Sequence, residues 1–422
     1  MSSNKVLEKV IVVGLVLPAL TRSVAEEHLA ELEKLVETAG GTVVDRILAK
    51  RPAPDPATFI GKGKAEQLKA AVERAGATLV VFDDDLSPAQ ARNLEKAIGC
   101  AVIDRSGLIL DIFAGRARSR EARTQVELAQ LEYMLPRLTR AWTHLERQAG
   151  GIGTRGVGET QLELDRRIIR NRIAHLKTDL RKIERTRETQ RKSRGEAYVV
   201  ALVGYTNAGK STLFNRLTRG EAVAVDKLFA TLDAKTQRIA FDMPRETVIV
   251  DTVGFIRKLP HNLVASFRST MEEAVAADLV LHVIDASHPQ FDEQREIGEE
   301  VLRDLGVDDA RVIEVLNKRD RVEGNGQQPT ANGQRVAVSA LNGDGVDRLL
   351  ETIRQRELKN GDVISLEIPH NDSRMIAKLH EVAEVYEQRV ADHAMLITAW
   401  VPRDALHLFD AYVASVRRVK AG

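Results

Sequence analysis

The 422-residue chain is 43% hydrophobic and 29% charged, with a formal net charge of +1 and one cysteine. That length allows about two to four domains with cores of their own. Cys100 alone excludes an intramolecular disulfide and a thiolate metal cluster, and no apolar run approaches the roughly 18 residues of a membrane span.

In chain order, the stretch VIVVGLVL is followed by an amphipathic pattern, so it reads as a first buried strand and not as a signal peptide. A cytoplasmic protein without stable membrane insertion is the expectation. From residue 1 to 114, apolar runs alternate with helix-like stretches near 23 to 39, 63 to 75 and 88 to 98, the βα alternation of a mostly parallel sheet. The turn FIGKGKAEQ holds Gly61, Lys62, Gly63 and Lys64. It could grip phosphate at a helix start but lacks the spacing of a nucleotide fingerprint, so a glycine turn with solvated lysines is the preferred reading.

The near-zero net charge conceals a polarity. Residues 115 to 194 carry twenty Lys and Arg against ten Asp and Glu, about +10, which leaves about −9 for the remainder. An embedded basic stretch suits an anionic polymer, although an arginine-rich solvated helix face explains the charge equally well. Within it, Leu128, Leu131, Leu135, Leu138, Trp142 and Leu145 recur at helical spacing, and Ile169, Ile173, Leu176, Leu180 and Ile183 do the same. The two seams predict an antiparallel hairpin over 115 to 195, with Pro136 kinking the first arm and a second arm about 50 Å long. Its tip, AGGIGTRGVGETQ, gathers Gly151, Gly153, Gly156 and Gly158 around Arg155 and reads as a contact surface in preference to a plain connector.

Residues 196 to 357 carry the specific chemistry. A strand, AYVVALV, runs into Gly204, Tyr205, Thr206, Asn207, Ala208, Gly209, Lys210 and Ser211, and then into a helix beginning at Thr212. Such a loop turns backbone N–H groups toward nucleotide phosphates, Lys210 adds a point charge, and the Ser211 hydroxyl suits Mg²⁺. The strand ETVIVD ends in Asp251, expected to hold Mg²⁺ through water, and continues through Thr252 and Val253 to Gly254, whose N–H can reach a γ-phosphate. Upstream, Phe229, Ala230, Thr231, Leu232 and Asp233 form the candidate first switch, with Thr231 as the second Mg²⁺ contact and Thr236 as its rival. Lys210, Thr231 and Gly254 are the candidate catalytic groups.

Two further segments read the base. Asn317, Lys318, Arg319 and Asp320 end a strand, and Ser339, Ala340 and Leu341 follow another. Guanine offers two donors, N1–H and N2–H₂, to a carboxylate such as Asp320, and its O6 can accept from the Ala340 N–H. GTP is therefore favoured over ATP. Phe255 stands where some GTPases keep a water-orienting glutamine, so a cation, a partner or backbone groups must position the water. Asn207 is either a K⁺ ligand or a brace for its loop.

The order G-x-x-x-x-G-K-S, threonine, D-x-x-G, N-K-x-D, S-A resembles the translation-factor-related GTPases. With FIGKGKAEQL, GGIGTRGVGETQLELDRR, GYTNAGKSTLFNRLT and DTVGFIRKLPHNLVASFRSTMEEAVAADLVLHVIDASHP, the chain from about 10 to 357 is similar to the HflX family of bacterial ribosome-associated GTPases. It departs at TLDAKT, where the family commonly has proline after the aspartate. The resemblance implies a GTPase that binds the 50S subunit through ribosomal RNA, points its glycine-tipped hairpin at the peptidyl-transferase region, and splits or rescues stalled ribosomes under stress. A monomer is expected. A nucleic-acid-dependent ATP motor and a non-hydrolysing ribosome-binding module are the alternatives, the first opposed by Asp320.

The fold expected is α/β and multidomain: an N-terminal α/β domain over 1–114, the hairpin over 115–195, a doubly wound P-loop GTPase domain over 196–357, and a small α+β domain read as β-α-β-α over 358–422.

Overall fold

The computed structural model describes residues 8–138, 161–193, 197–220, 228–229, 235–239, 246–258, 268–322 and 334–417. The chain forms two compact units: residues Met1–Thr186 with Asp226–Asp233 and Arg257–Arg268, and residues Arg187–Val225 with Ala234–Ile256 and Ser269–Gly422.

The first unit is built on a four-stranded parallel sheet of β1 (Lys9–Val16), β2 (Thr42–Lys50), β3 (Leu79–Phe82) and β4 (Ala101–Asp104), in the order β2-β1-β3-β4. Strand β1 is buried from Val10 to Val16, as a parallel strand covered on both faces must be. Helices α1 (Arg22–Ala39), α2 (Lys62–Ala75) and α3 (Pro88–Ile98) supply the crossovers. Their ends follow the local chemistry. Thr21 caps α1, Ser87 and Gln90 form a reciprocal capping box on α3, and Gly40, Gly76 and Gly99 close the three helices in left-handed conformation.

Charge gathers where β3 and β4 end. Arg105, only 1% exposed, bonds Glu31 and reaches Asp83 at 2.7 Å. Lys258 Nζ lies 2.7 Å from Asp83 and 2.5 Å from Asp84, and Arg257 lies 3.4 Å from Glu31. Asp104 accepts from Tyr133 and from Arg137, at 2.9 and 2.7 Å. Buried charge is tolerated when it is paired in this way.

After α4 (Arg105–Arg116), helix α5 (Arg120–Met134) ends two residues before Pro136, and the rest of the expected first arm, beyond Leu138, lies outside the described residues. A proline here lacks the N–H that would continue the ladder, and the Arg137 and Leu138 amides instead turn back to the Met134 carbonyl. The second arm, α6 (Gln161–Ser193), is one helix of 33 residues, about 50 Å long. Its predicted seam is its least exposed face, with Leu176 buried, and Arg172 to Glu127 and Lys177 to Glu132 pair it with α5. The expected glycine-rich tip lies outside the described residues.

The second unit contains a six-stranded sheet in the order β10-β9-β8-β5-β7-β6. Its strands are β5 (Tyr198–Gly204), β6 (Lys235–Ile239), β7 (Thr247–Asp251), β8 (Leu279–Asp285), β9 (Val312–Asn317) and β10 (Arg335–Ala337). Only the edge pair β6 and β7 is antiparallel. Helices α7 (Lys210–Thr218), α8 (Arg268–Ala276), α9 (Phe291–Asp304) and α10 (Val346–Lys359) connect the strands.

The tail corrects the β-α-β-α expectation. It forms β11 (Gly361–Pro369), α11 (Ser373–Val382), β12 (Glu384–Val390), β13 (Ala394–Pro402) and β14 (Val413–Arg417), an antiparallel sheet ordered β12-β13-β11-β14. Helical spacing runs from Arg374 to Val390, but the helix stops at Val382 because Glu384 onward pairs with β13. The last predicted helix is replaced by two 3₁₀ turns around a fully buried Phe409 and by β14. Tertiary pairing has overridden local periodicity here.

Trp400 fills the joint between α10 and β11, donating to the Leu358 carbonyl at 2.7 Å. A Cβ on Gly361 would sit 2.3 Å from its ring. Gly361→Ala is therefore expected to destabilise the tail by about 1–3 kcal/mol through overpacking. Denaturant titration followed by Trp400 fluorescence in a Trp142→Phe background reads this directly, and an unshifted midpoint would show that the ring has room to move.

Candidate functional site

The predicted phosphate loop joins β5 to α7, and its shape is dictated by close approach. A Cβ on Gly204, where φ is +145°, would lie 2.1 Å from the Val283 carbonyl oxygen. At Gly209, where φ is +93°, it would lie 2.2 Å from Asn317 Nδ2. Asn207 is also left-handed, with an exposed side chain, and alternating left- and right-handed residues make the concave array of N–H groups that binds anions. Tyr205, Thr206 and Ala208 are buried beneath the loop, and Ser211 and Thr212 open the helix.

Lys210 is 6% exposed and donates through Nζ to the carbonyls of Gly204 and Tyr205, at 2.9 and 2.8 Å. Burial lowers its pKa to about 8, partly offset by the Asp251 carboxylate. Ser211 Oγ donates to Asp251 Oδ2 at 2.9 Å, so a hydroxyl and a fully buried carboxylate face each other at the end of β7. Two hard oxygen donors in contact suit a small divalent cation. Thr231, with Ala230, Leu232 and Asp233, lies outside the described residues, whereas its rival Thr236 sits in β6 opposite Val250.

Downstream of Asp251, Thr252 bonds the Leu202 carbonyl at 2.6 Å and Val253 is buried. Gly254 has no space for a side chain: a Cβ would lie 2.7 Å from Lys210 Nζ and 2.9 Å from Thr206 Cα. Phe255 is 3% exposed. Its amide donates to the Gly204 carbonyl at 2.9 Å and its carbonyl accepts from Thr206 at 2.7 Å, so the residue braces the phosphate loop through its backbone. Its ring belongs to the interior and offers no polar atom to a water.

The base-reading segments meet at Asn317. Its Nδ2 donates to the Ala208 carbonyl at 2.8 Å, and its Oδ1 accepts from the Ala340 amide at 3.0 Å. Ser339 Oγ donates to Asp320 Oδ1 at 2.5 Å, orienting that carboxylate. Arg319 lies 3.7 Å from Asp344, and Leu341 is 69% exposed. Lys318, left-handed at φ +64°, places Nζ 2.7 Å from Asp285. Burial works to raise the Asp285 carboxyl, but hydrogen bonds from Lys318 and Ser287 outweigh it and hold it below the ordinary carboxylate range.

Phe229 is buried and packs edge-to-face on Phe113 of α4 at 4.6 Å. Gly151, Gly153, Arg155, Gly156 and Gly158 lie outside the described residues. Conversely, sequence reasoning passed over Asp285, Arg216 and His282. His282, on β8, fills the space left by Gly298, where a Cβ would be 2.2 Å from Nε2, and burial followed by the charges of Lys210 and Arg295 lowers its pKa to about 4. No spacing rule would have found it.

The cluster lies at the carboxyl ends of β5, β7 and β9, where doubly wound sheets bind ligands. Profiles described as GTP-binding GTPase N-terminal, GTP-binding GTPase middle region and 50S ribosome-binding GTPase match residues 26–114, 116–194 and 199–318. A protein named GTPase HflX from Caldanaerobacter subterraneus subsp. tengcongensis is 47% identical over 89% of this chain and 88% of its own length. One of the same name from Escherichia coli is 46% identical over 86% of each. A GTP-binding protein from Sulfolobus solfataricus solved with GDP is 24% identical, covering 83% of this chain and 98% of its own, with a TM-score of 0.43.

Lys210 generates a pH prediction. A phosphate beside it favours the charged form, so its pKa rises on binding, and affinity is full below about 8 and falls as pH rises through that value. Calorimetric titration with GDP in buffers of different ionisation enthalpy should show proton uptake above pH 8. Binding with no proton uptake at pH 8.5 would contradict the assignment.

Proposed function

The chain belongs to the HflX family of GTPases, and from that premise we propose that it binds the 50S subunit, directs its hairpin tip at ribosomal RNA and splits or rescues stalled ribosomes. What supports this reading is the joining in one chain of a GTPase domain that matches the ribosome-binding profile to a basic, 33-residue helix arm. The domain boundaries at 114, 195 and 357 are retained as the working division.

The geometry supports the following chemistry. Backbone N–H groups from Gly204 to Ser211 cradle the phosphates, and Lys210 exchanges its two carbonyl acceptors for phosphate oxygens. Ser211, Thr231 and, through water, Asp251 would hold Mg²⁺, which would supply positive charge to the phosphate oxygens. Gly254 presents its N–H to the γ-phosphate. Asp320, already aligned by Ser339, accepts from guanine N1–H and N2–H₂, and one Asn317 Nδ2 hydrogen remains for N7.

The buried Phe255 ring cannot orient water for the intrinsic reaction, and the subunit supplies that group or orders the switch. Asn207 is the candidate K⁺ ligand. Phe255→Leu, which keeps the interior apolar, is expected to hold the basal rate within about twofold, since no hydrogen-bonding group is lost. A collapse of basal hydrolysis with nucleotide affinity intact would put the ring into the chemistry.

The function itself is tested by density-gradient sedimentation of 70S ribosomes with the chain and GTP. Replacing Gly151–Gly158 by a serine linker should abolish subunit separation and leave GTP binding intact. Separation at the wild-type rate by the tip variant would overturn the role given to the hairpin.

A further inference from the structure

Arg216 sits on the solvent side of α7, six residues after Lys210, in a position that neither phosphate nor base chemistry requires. Its guanidinium nevertheless crosses to the base-reading loop. Nε donates to the Ala340 carbonyl at 3.2 Å, and Nη2 donates to the Leu341 carbonyl. These are the two peptide planes that directly follow the Ala340 N–H.

Besides this fork, the Asn342 amide donates to Ser339 Oγ at a long 3.4 Å, and the Gly343 amide returns to the Ser339 carbonyl at 2.8 Å. Leu341 itself is 69% exposed, and the loop then passes through Gly343 and Gly345, both left-handed at φ +96° and +73°. On the other side, the Ala340 amide faces Asn317 Oδ1 at 3.0 Å. The loop is therefore held between Asn317, which meets the N–H, and a planar charged fork, which takes the carbonyls behind it.

We propose that Arg216 is a positioning residue for purine recognition: by fixing the peptide planes after Ala340 it sets where the Ala340 N–H, which donates to Asn317 Oδ1 in this structure, meets O6 of guanine as a shared donor. The proposal rests on the reading of Ala340 and Asp320 as the base contacts. It also makes the helix that begins the phosphate site a support for the base site, across 124 residues of chain.

The test separates the two edges of the base. 6-Thio-GDP keeps N1–H and N2–H₂ but replaces O6 by a weaker acceptor, whereas inosine diphosphate keeps O6 and loses the 2-amino group that Asp320 reads. In equilibrium titrations, Arg216→Ala is expected to weaken GDP about tenfold and to shrink the preference for GDP over 6-thio-GDP by a similar factor. The preference for GDP over inosine diphosphate should stand. Arg216→Lys keeps the charge and the aliphatic stem but loses the fork, so it should show the same selective loss in smaller measure while guarding against a folding defect. Unchanged discrimination against the thio analogue in both variants would overturn the proposal, and so would two preferences that fall together. A wild-type chain that does not distinguish GDP from inosine diphosphate would instead remove the Asp320 assignment, a failure visible before any variant is made.

Discussion

In the candidate nucleotide site one side-chain amide ties the phosphate loop to the base loop. Asn317 bonds Ala208 in the phosphate loop with its nitrogen and Ala340 in the base loop with its oxygen, so two segments more than a hundred residues apart keep one spacing. An amide is suited to this because it is donor and acceptor at once and carries no charge to compete with a triphosphate. The glycines answer to the same constraint. Gly209 must lack a side chain because Asn317 Nδ2 occupies that place, and Gly204 because β8 passes directly behind it. Remove Asn317 and the loops lose their common reference, even with every phosphate and base contact still encoded.

What was legible in the sequence was chemistry with a fixed local spacing. The phosphate loop, Asp251 and the Asn317–Asp320 segment could be placed on strand ends because phosphate, cation and guanine dictate which atoms must converge and in what order. The alternation of strands and helices in the first unit was legible because parallel strands buried on both faces are continuously apolar. The supports were not. Arg216 reaches a loop 124 residues away, Lys318 is tied to Asp285 on another strand, and His282 occupies a gap left by Gly298; each contact depends on tertiary placement alone.

The tail shows the other limit. From Arg374 to Val390 the apolar residues fall at spacings a helix accepts, and only the pairing of Glu384–Val390 with β13 decides the second half as strand. Pro136 was legible as a break in the helical ladder, because a proline lacks the amide that continues it, and α5 ends just before it at Met134. In the first unit the paired charges around Asp83 and Asp104 had no sequence signature beyond a run of aspartates. Their partners, Arg105, Arg137 and Lys258, each come from a different segment of the chain.

Lys210 has a consequence beyond electrostatics. Its amine is anchored by two carbonyls of its own loop, those of Gly204 and Tyr205, so a long and otherwise mobile side chain is already held in one place. A phosphate oxygen that replaces one of those acceptors meets a donor whose freedom is already lost, and the ordering cost of the contact falls on folding and not on binding.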